Sequence, residues 1–163
     1  MNRLLVVGVD PGVTTGICAL PYLDGRLQIE QVAVIQANPA AVPRIVAAFL
    51  AEAEGFTLMP ILAVEEFVTN LRAARSATPE AGRITRQLIA QLQDVHLDHA
   101  ARWYRRPAGI VKPWATDARI EAAGLDGPTH AMRNHARDAA RHALYAAVRD
   151  GGIPDPLSRK AQP

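Results

Sequence analysis

Leu4-Leu5-Val6-Val7-Gly8-Val9-Asp10-Pro11-Gly12-Val13-Thr14-Thr15-Gly16-Ile17-Cys18-Ala19-Leu20 is the stretch that decides the fold class. Residues 4–9 form a continuous apolar run, the mark of a strand buried on both faces. Asp10-Pro11-Gly12 is a turn, and Gly16 to Leu20 reads as a second strand. Asp24-Gly25 predicts a hairpin turn, after which Leu27-Gln28-Ile29-Glu30-Gln31-Val32 alternates as a half-exposed third strand. The chain therefore opens with three antiparallel strands in succession.

Beyond this opening, helices and strands alternate. Asn38-Pro39 supplies an N-cap and a first helical residue, and Gly55 closes that helix. Its Val42, Ile45, Val46, Phe49 and Leu50 keep to one face. Leu58 to Val64 is another apolar strand, which delivers Glu65-Glu66 at its C-terminal end. Thr69 to Thr78 reads as a polar, Arg-rich loop. Thr78-Pro79 starts a second helix, with Ile84, Leu88, Ile89 and Leu92 on its buried stripe. Trp103-Tyr104 predicts a short fifth strand, and Pro107 to Gly124 a helix broken around Pro113. A last helix runs from about His130 to Arg149 and ends at Gly151-Gly152. The expected architecture is α/β, with a mixed five-stranded sheet and helices on both of its faces. Residues 1–150 form the expected domain, and the proline-rich residues 151–163 an expected loose tail.

Composition narrows the class. Of 163 residues, 49% are hydrophobic, which suits a globular chain with a substantial core. No apolar run approaches the roughly 20 residues needed to span a bilayer, and the start is too soon acidic for a signal peptide. The single cysteine, Cys18, rules out an internal disulfide and suits a reducing cytoplasm. The net charge is only +2, yet its distribution is uneven. Acids outnumber Arg and Lys through Glu66, and the balance reverses from Phe67 onward. Arg72, Arg75, Arg83, Arg86, Arg102, Arg105 and Arg106 face only Glu80, Asp94 and Asp98 over the same stretch. That asymmetry suits a polyanionic partner meeting one side of the fold.

Four positions carry chemistry in combination. Asp10 stands where a buried strand ends in a rigid turn. Glu65 and Glu66 stand at the end of another, and strand alternation lets only one of them join Asp10. His135, Asp138 and His142 recur at i, i+3 and i+7, one above another on the last helix. Beside them Ala136, Ala140, Ala143 and Ala147 make a small apolar stripe that lets the helix lie close to the sheet. Strand-end carboxylates with a helical His-x-x-Asp supply hard oxygen ligands and one imidazole. Such a set suits Mg²⁺ or Mn²⁺ better than Zn²⁺. Two such ions about 3.5–4 Å apart activate a water and stabilise the leaving oxygen of a phosphodiester, with no covalent nucleophile and no small-molecule cofactor.

These residues resemble the RuvC-like Holliday-junction resolvases of the RNase H-like nuclease superfamily, in particular proteins of phages and prophages. The likeness rests on VVGVDPGVTTGICAL, on LAVEEF and on HARDAARHALYAAV, in that order. The resemblance implies an RNase H-like fold and a metal site of Asp10, Glu65 (the first of the acidic pair), His135 and Asp138. Many relatives carry Asp at the position of His135, so that residue is expected to act either as a ligand or as an acid/base group. It further implies a homodimer in the bacterial cytoplasm that nicks four-way or other branched DNA in pairs. Phe67, in the loop after Glu65, would stack on an opened base, and Arg72, Arg75, Arg83, Arg86 and Lys112 would contact phosphates. The same ligands would also serve a nuclease of RNA or RNA–DNA hybrids. Asp-Pro-Gly-Val-Thr-Thr-Gly is in addition compatible with a phosphate loop of actin-like kinases. Those need two such domains, and they give no reason for His135-x-x-Asp138.

Overall fold

The computed structural model describes residues 3–68, 78–130 and 135–158. Strand β1 (Leu4–Asp10) is buried along its whole length, as its apolar run requires. It pairs antiparallel with β2 (Thr15–Leu23) on one side and parallel with β5 (Met59–Glu65) on the other. Beyond β5 lies β6 (Arg102–Arg106), again parallel. On the far edge of β2, β3 (Arg26–Leu27) and β4 (Ala33–Ala37) follow one another end to end.

The third strand thus departs from its expected form. The alternating residues 27–32 do not make one strand, because a 3-10 turn at Ile29–Gln31 interrupts them and pairing resumes at Ala33. Among the described residues the sheet has six strands in five positions, because β3 and β4 together occupy one position beside β2.

Both capped helices start where their signals lie. The Asn38 side chain accepts from the Ala40 N–H and leads through a short 3-10 turn into α1 (Val42–Gly55). The Thr78 hydroxyl accepts from the Ala81 N–H at the start of α2 (Pro79–Asp98). The segment around Pro113 divides into α3 (Ala108–Trp114) and α4 (Asp117–Ala122), followed by α5 (Asp126–His130) and α6 (His135–Arg149). None of the described helices is long and apolar enough to cross a membrane.

The two faces of the sheet carry separate cores. Leu5, Val7, Val9, Leu62 and Val64 face α1 and α2, meeting Val46, Leu50, Leu88 and Leu92. The alternate residues Leu4, Val6, Leu20, Ile61 and Ala63 face α6 and meet its alanines. Two glycines set how close α6 comes. A methyl group at Gly8 would overlap the Ala139 carbonyl oxygen, and one at Gly16 would overlap the His135 carbonyl. With Ala136, Ala139, Ala140, Ala143 and Ala147 all fully buried, α6 lies directly on β1 and β2. Its N-terminus therefore stands over the C-terminal end of β1.

Residues 151–158 differ from the expected loose tail. Gly151 and Ile153 are buried, the latter within the α6-side core. Asp155 is held by Arg119 at 3.0 Å, and Arg106 grips Asp150 through two hydrogen bonds of 2.8 Å. Prolines limit backbone freedom, but they do not prevent a segment from docking when it carries an apolar anchor and an ion-pair partner.

Candidate active site

Three segments meet at one end of the sheet. Because β1 and β5 are adjacent and parallel, with Val9 level with Val64, their terminal carboxylates emerge side by side. Asp10 follows Leu4, Val6 and Gly8 on the α6 face, and Glu65 follows Ile61 and Ala63 on the same face. Glu66 turns away and pairs with Arg105 at 3.4 Å, so alternation separates the two acids as expected.

The first turn of α6 covers this pair. His135 Nδ1 lies 2.7 Å from Asp10 Oδ2. One turn on, Asp138 is gripped from two sides: Lys112 Nζ donates to Oδ2 at 2.8 Å and Arg141 Nη1 donates to Oδ1 at 2.6 Å. A further turn on, His142 Nε2 lies 3.1 Å from Glu65 Oε2. The helix therefore contacts both strand-end carboxylates, Asp10 through His135 and Glu65 through His142.

The electrostatics follow from crowding acids in a partly buried place. Burial raises the Asp10 pKa from 3.8 to about 6, and the nearby charges of Glu65 and Asp138 push in the same direction. The hydrogen bond and charge of His135 act against them. For Lys112 the signs invert. Burial works against its ammonium, but the hydrogen bond to Asp138 and the charges of Asp138, Glu65 and Asp10 hold its pKa above the usual value. A cation thus already stands among the three carboxylates, supplied by the protein itself.

This donor set fits a hard divalent ion, since it offers carboxylate oxygens and imidazole nitrogen rather than thiolate. Among the described residues, however, no three or more His, Cys, Asp or Glu side chains are drawn around one point. Lys112 and Arg141 instead engage the two oxygens of Asp138.

The other expected contact residues divide. Lys112 reaches into the acidic cluster, where it pairs with Asp138. Phe67 is half-buried against α2, where a methyl on Gly82 would come within 3.3 Å of its ring, and the Arg86 guanidinium sits 5.6 Å from the ring centroid. Arg83 is exposed and bonded to Glu80 and Gln87. Arg72 and Arg75 lie outside the described residues. A groove of about 440 Å³ beside Glu65 is lined by Pro11, Phe67, Val68, Pro107 and Gly109. Two members of the cluster, His142 and Arg141, are absent from the expected site. His142 had a signal, its i+7 spacing from His135; Arg141 had none beyond its place one turn after Asp138.

No protein-family model matches the sequence, and no curated protein does. Solved structures that share its fold include two of Thermus thermophilus RuvC. Thermus thermophilus RuvC in complex with a Holliday junction substrate superimposes with a TM-score of 0.60 at 20% identity, covering 91% of this chain and 97% of that one. A second Thermus thermophilus RuvC structure gives a TM-score of 0.54 at 20% identity, covering 94% of this chain and all of the other. The fold is that of RuvC, a mixed sheet with helices, as the opening strands led us to expect.

Proposed function

We propose that this chain is a divalent-metal-dependent endonuclease acting on branched DNA, four-way junctions foremost, and that it works as a homodimer. The observation that carries the reading is the convergence of Asp10 and Glu65, from two parallel strands, beneath a helix presenting His135 and Asp138. The RuvC fold supports the choice of substrate. Phage origin has only the sequence resemblance behind it.

In this reading Asp10, Glu65, His135 and Asp138 hold Mg²⁺ or Mn²⁺, two ions per site. When bound, the metal supplies Lewis acidity and lowers the pKa of a water, so that no protein nucleophile is needed. The protein's own groups do the rest. At neutral pH Asp10 is ionised and accepts the Nδ1–H of His135. That leaves Nε2 of His135 as the nitrogen available to bind metal or carry a proton, an arrangement in which the carboxylate fixes the imidazole tautomer. Lys112 and Arg141 hold Asp138 and offset the negative charge that would otherwise repel a phosphate. Each Asp138 oxygen accepts one of these bonds and keeps a further lone pair with which it would hold a metal, and DNA phosphates would offer Lys112 a competing anion.

The test pairs Mg²⁺ or Mn²⁺ with matched four-way, three-way, flap and duplex DNAs and an RNA–DNA hybrid. Paired nicks across the four-way junction are expected, and Asp138→Asn should abolish them while leaving junction binding largely intact. Undiminished cutting by that variant would sink the assigned site. Cutting of the hybrid alone would replace the junction with an RNA-containing substrate, and a monomer by light scattering would remove the paired-nick geometry.

A further inference from the structure

His142 is the buried titratable group in this cluster that the metal-binding scheme does not use. Its side chain is 2% exposed, and it lies on the same stripe of α6 as His135 and Asp138. The other buried residues of α6 are alanines and Leu144, so His142 is the polar exception on an apolar face. Burying a polar ring there without a hydrogen-bond partner would be unfavourable. The partner is Glu65. Nε2 lies 3.1 Å from Oε2, and because an ionised carboxylate only accepts, Nε2 must carry the hydrogen.

We infer that His142 is a positioning residue: it anchors one oxygen of Glu65 so that the other is presented to the metal. This inference rests on the nuclease reading above. The backbone makes the anchor rigid. Gly8 and Gly16 let α6 seat directly on β1 and β2, and this contact fixes the height and rotation of the helix relative to the strand end. Pairing with Arg106 holds the Glu65 backbone at the end of β5, and the Glu66 N–H bonds the Arg106 carbonyl just beyond, so what His142 adds is a hold on the side chain. Glu65 is also the longest and most flexible of the acidic side chains in the cluster, so an external hydrogen bond removes more freedom from it than from Asp10. Partners of this kind, bonded to a metal ligand rather than to the metal, typically change metal affinity or turnover by about 10–100-fold when removed.

The experiment measures Mn²⁺ affinity of the intact protein by electron paramagnetic resonance, together with junction binding and single-turnover nicking. Variants are His142→Leu, which fills the space without a donor, and His142→Gln, whose Nε2–H reaches about as far as that of histidine. His142→Asn, polar but too short, guards against a Leu variant that does not fold. His142→Leu and His142→Asn should weaken Mn²⁺ binding or slow nicking by about 10–100-fold with junction affinity unchanged, and His142→Gln should recover most of the loss. In a Glu65→Ala background, His142→Leu should have no further effect on Mn²⁺ binding. Wild-type Mn²⁺ affinity and nicking in the Leu variant would overturn the inference, as would a Gln variant no better than Leu. A wild-type protein that nicks but binds Mn²⁺ without sensitivity to His142 would leave the nuclease reading standing and remove only this residue's role. A wild-type protein that neither binds Mn²⁺ nor cuts would overturn both.

Discussion

Replacing Asp10 by Asn removes a charge that the fold holds in an unfavourable place. The Asp10 side chain is 11% exposed, and its pKa stands at about 6 against an ordinary 3.8, first because of burial and then because of Glu65. Below about pH 3.8 the carboxyl is protonated in folded and unfolded chains alike, so its contribution is nil. Between 3.8 and about 6 the folded protein keeps a proton that the unfolded chain releases, and stability therefore falls as pH rises. Above about 6 the loss is complete, and the gap corresponds to about 3 kcal/mol. Asn is neutral throughout, and its side-chain oxygen can still accept from His135 Nδ1–H. Asp10→Asn should therefore be more stable than the wild type by up to about 3 kcal/mol at pH 7.5, shrinking toward zero near pH 4. Urea unfolding in metal-free buffer at pH 4, 5, 6 and 7.5 reads the difference directly. A variant no more stable than wild type at pH 7.5, or a difference that does not change with pH, would refute the reasoning. Adding Mg²⁺ should narrow the gap from the other side, because a bound ion stabilises only the wild-type site.

Three further outcomes follow from the same structure. Gly8→Ala drives a methyl into the Ala139 carbonyl and the Ala143 backbone, and should cost about 1–3 kcal/mol or more in urea unfolding. Ile153→Ala empties a buried position beyond the last helix and should cost about 2–3 kcal/mol; a change under about 0.5 kcal/mol would mean that residues after 150 are not part of the core. Neutralising Arg83 and Arg86 together should weaken DNA binding and reduce the slope of log affinity against log salt by up to about 2. An unchanged slope would leave Arg83 to its ion pair with Glu80 and Arg86 to its place over Phe67.

Local signals carried much of this fold. The uninterrupted apolar run of β1, the Asn38-Pro39 and Thr78-Pro79 caps and the small stripe of α6 each depend on residues close together in sequence, and each stands where it was expected. The misread segments depended on neighbours far away. Residues 27–32 alternate like a strand, but alternation reports only half-burial, and the choice between ladder and turn was made by the edge of β2. The three prolines after Gly152 read as a loose end, yet Ile153 finds the α6-side core and Asp155 finds Arg119. The candidate site divides in the same way. Asp10 and the spacing of His135, Asp138 and His142 were visible in the sequence. That Lys112 reaches Asp138 was not, because nothing in the sequence says that α3 folds back against α6. His142 was visible and passed over, since one face of a helix does not reveal which carboxylate lies opposite.

The close seating of α6 on Gly8 and Gly16 also has a consequence for when the site exists. The first two strands and β5 leave the ribosome well before α6 does, and because a domain folds as a unit the α6 face of the sheet waits for that helix. A growing chain that has made β1 and β5 but not α6 carries two bare carboxylates on adjacent strands, with no imidazole between them and no Lys112–Asp138 pair. It would also expose the apolar residues that α6 covers, Leu4, Val6, Leu20 and Ile61 among them. The last helix carries His135, Asp138, Arg141 and His142 together to that face. A chain cut before α6 would keep Asp10, Glu65 and Lys112 and lack His135, Asp138, Arg141 and His142.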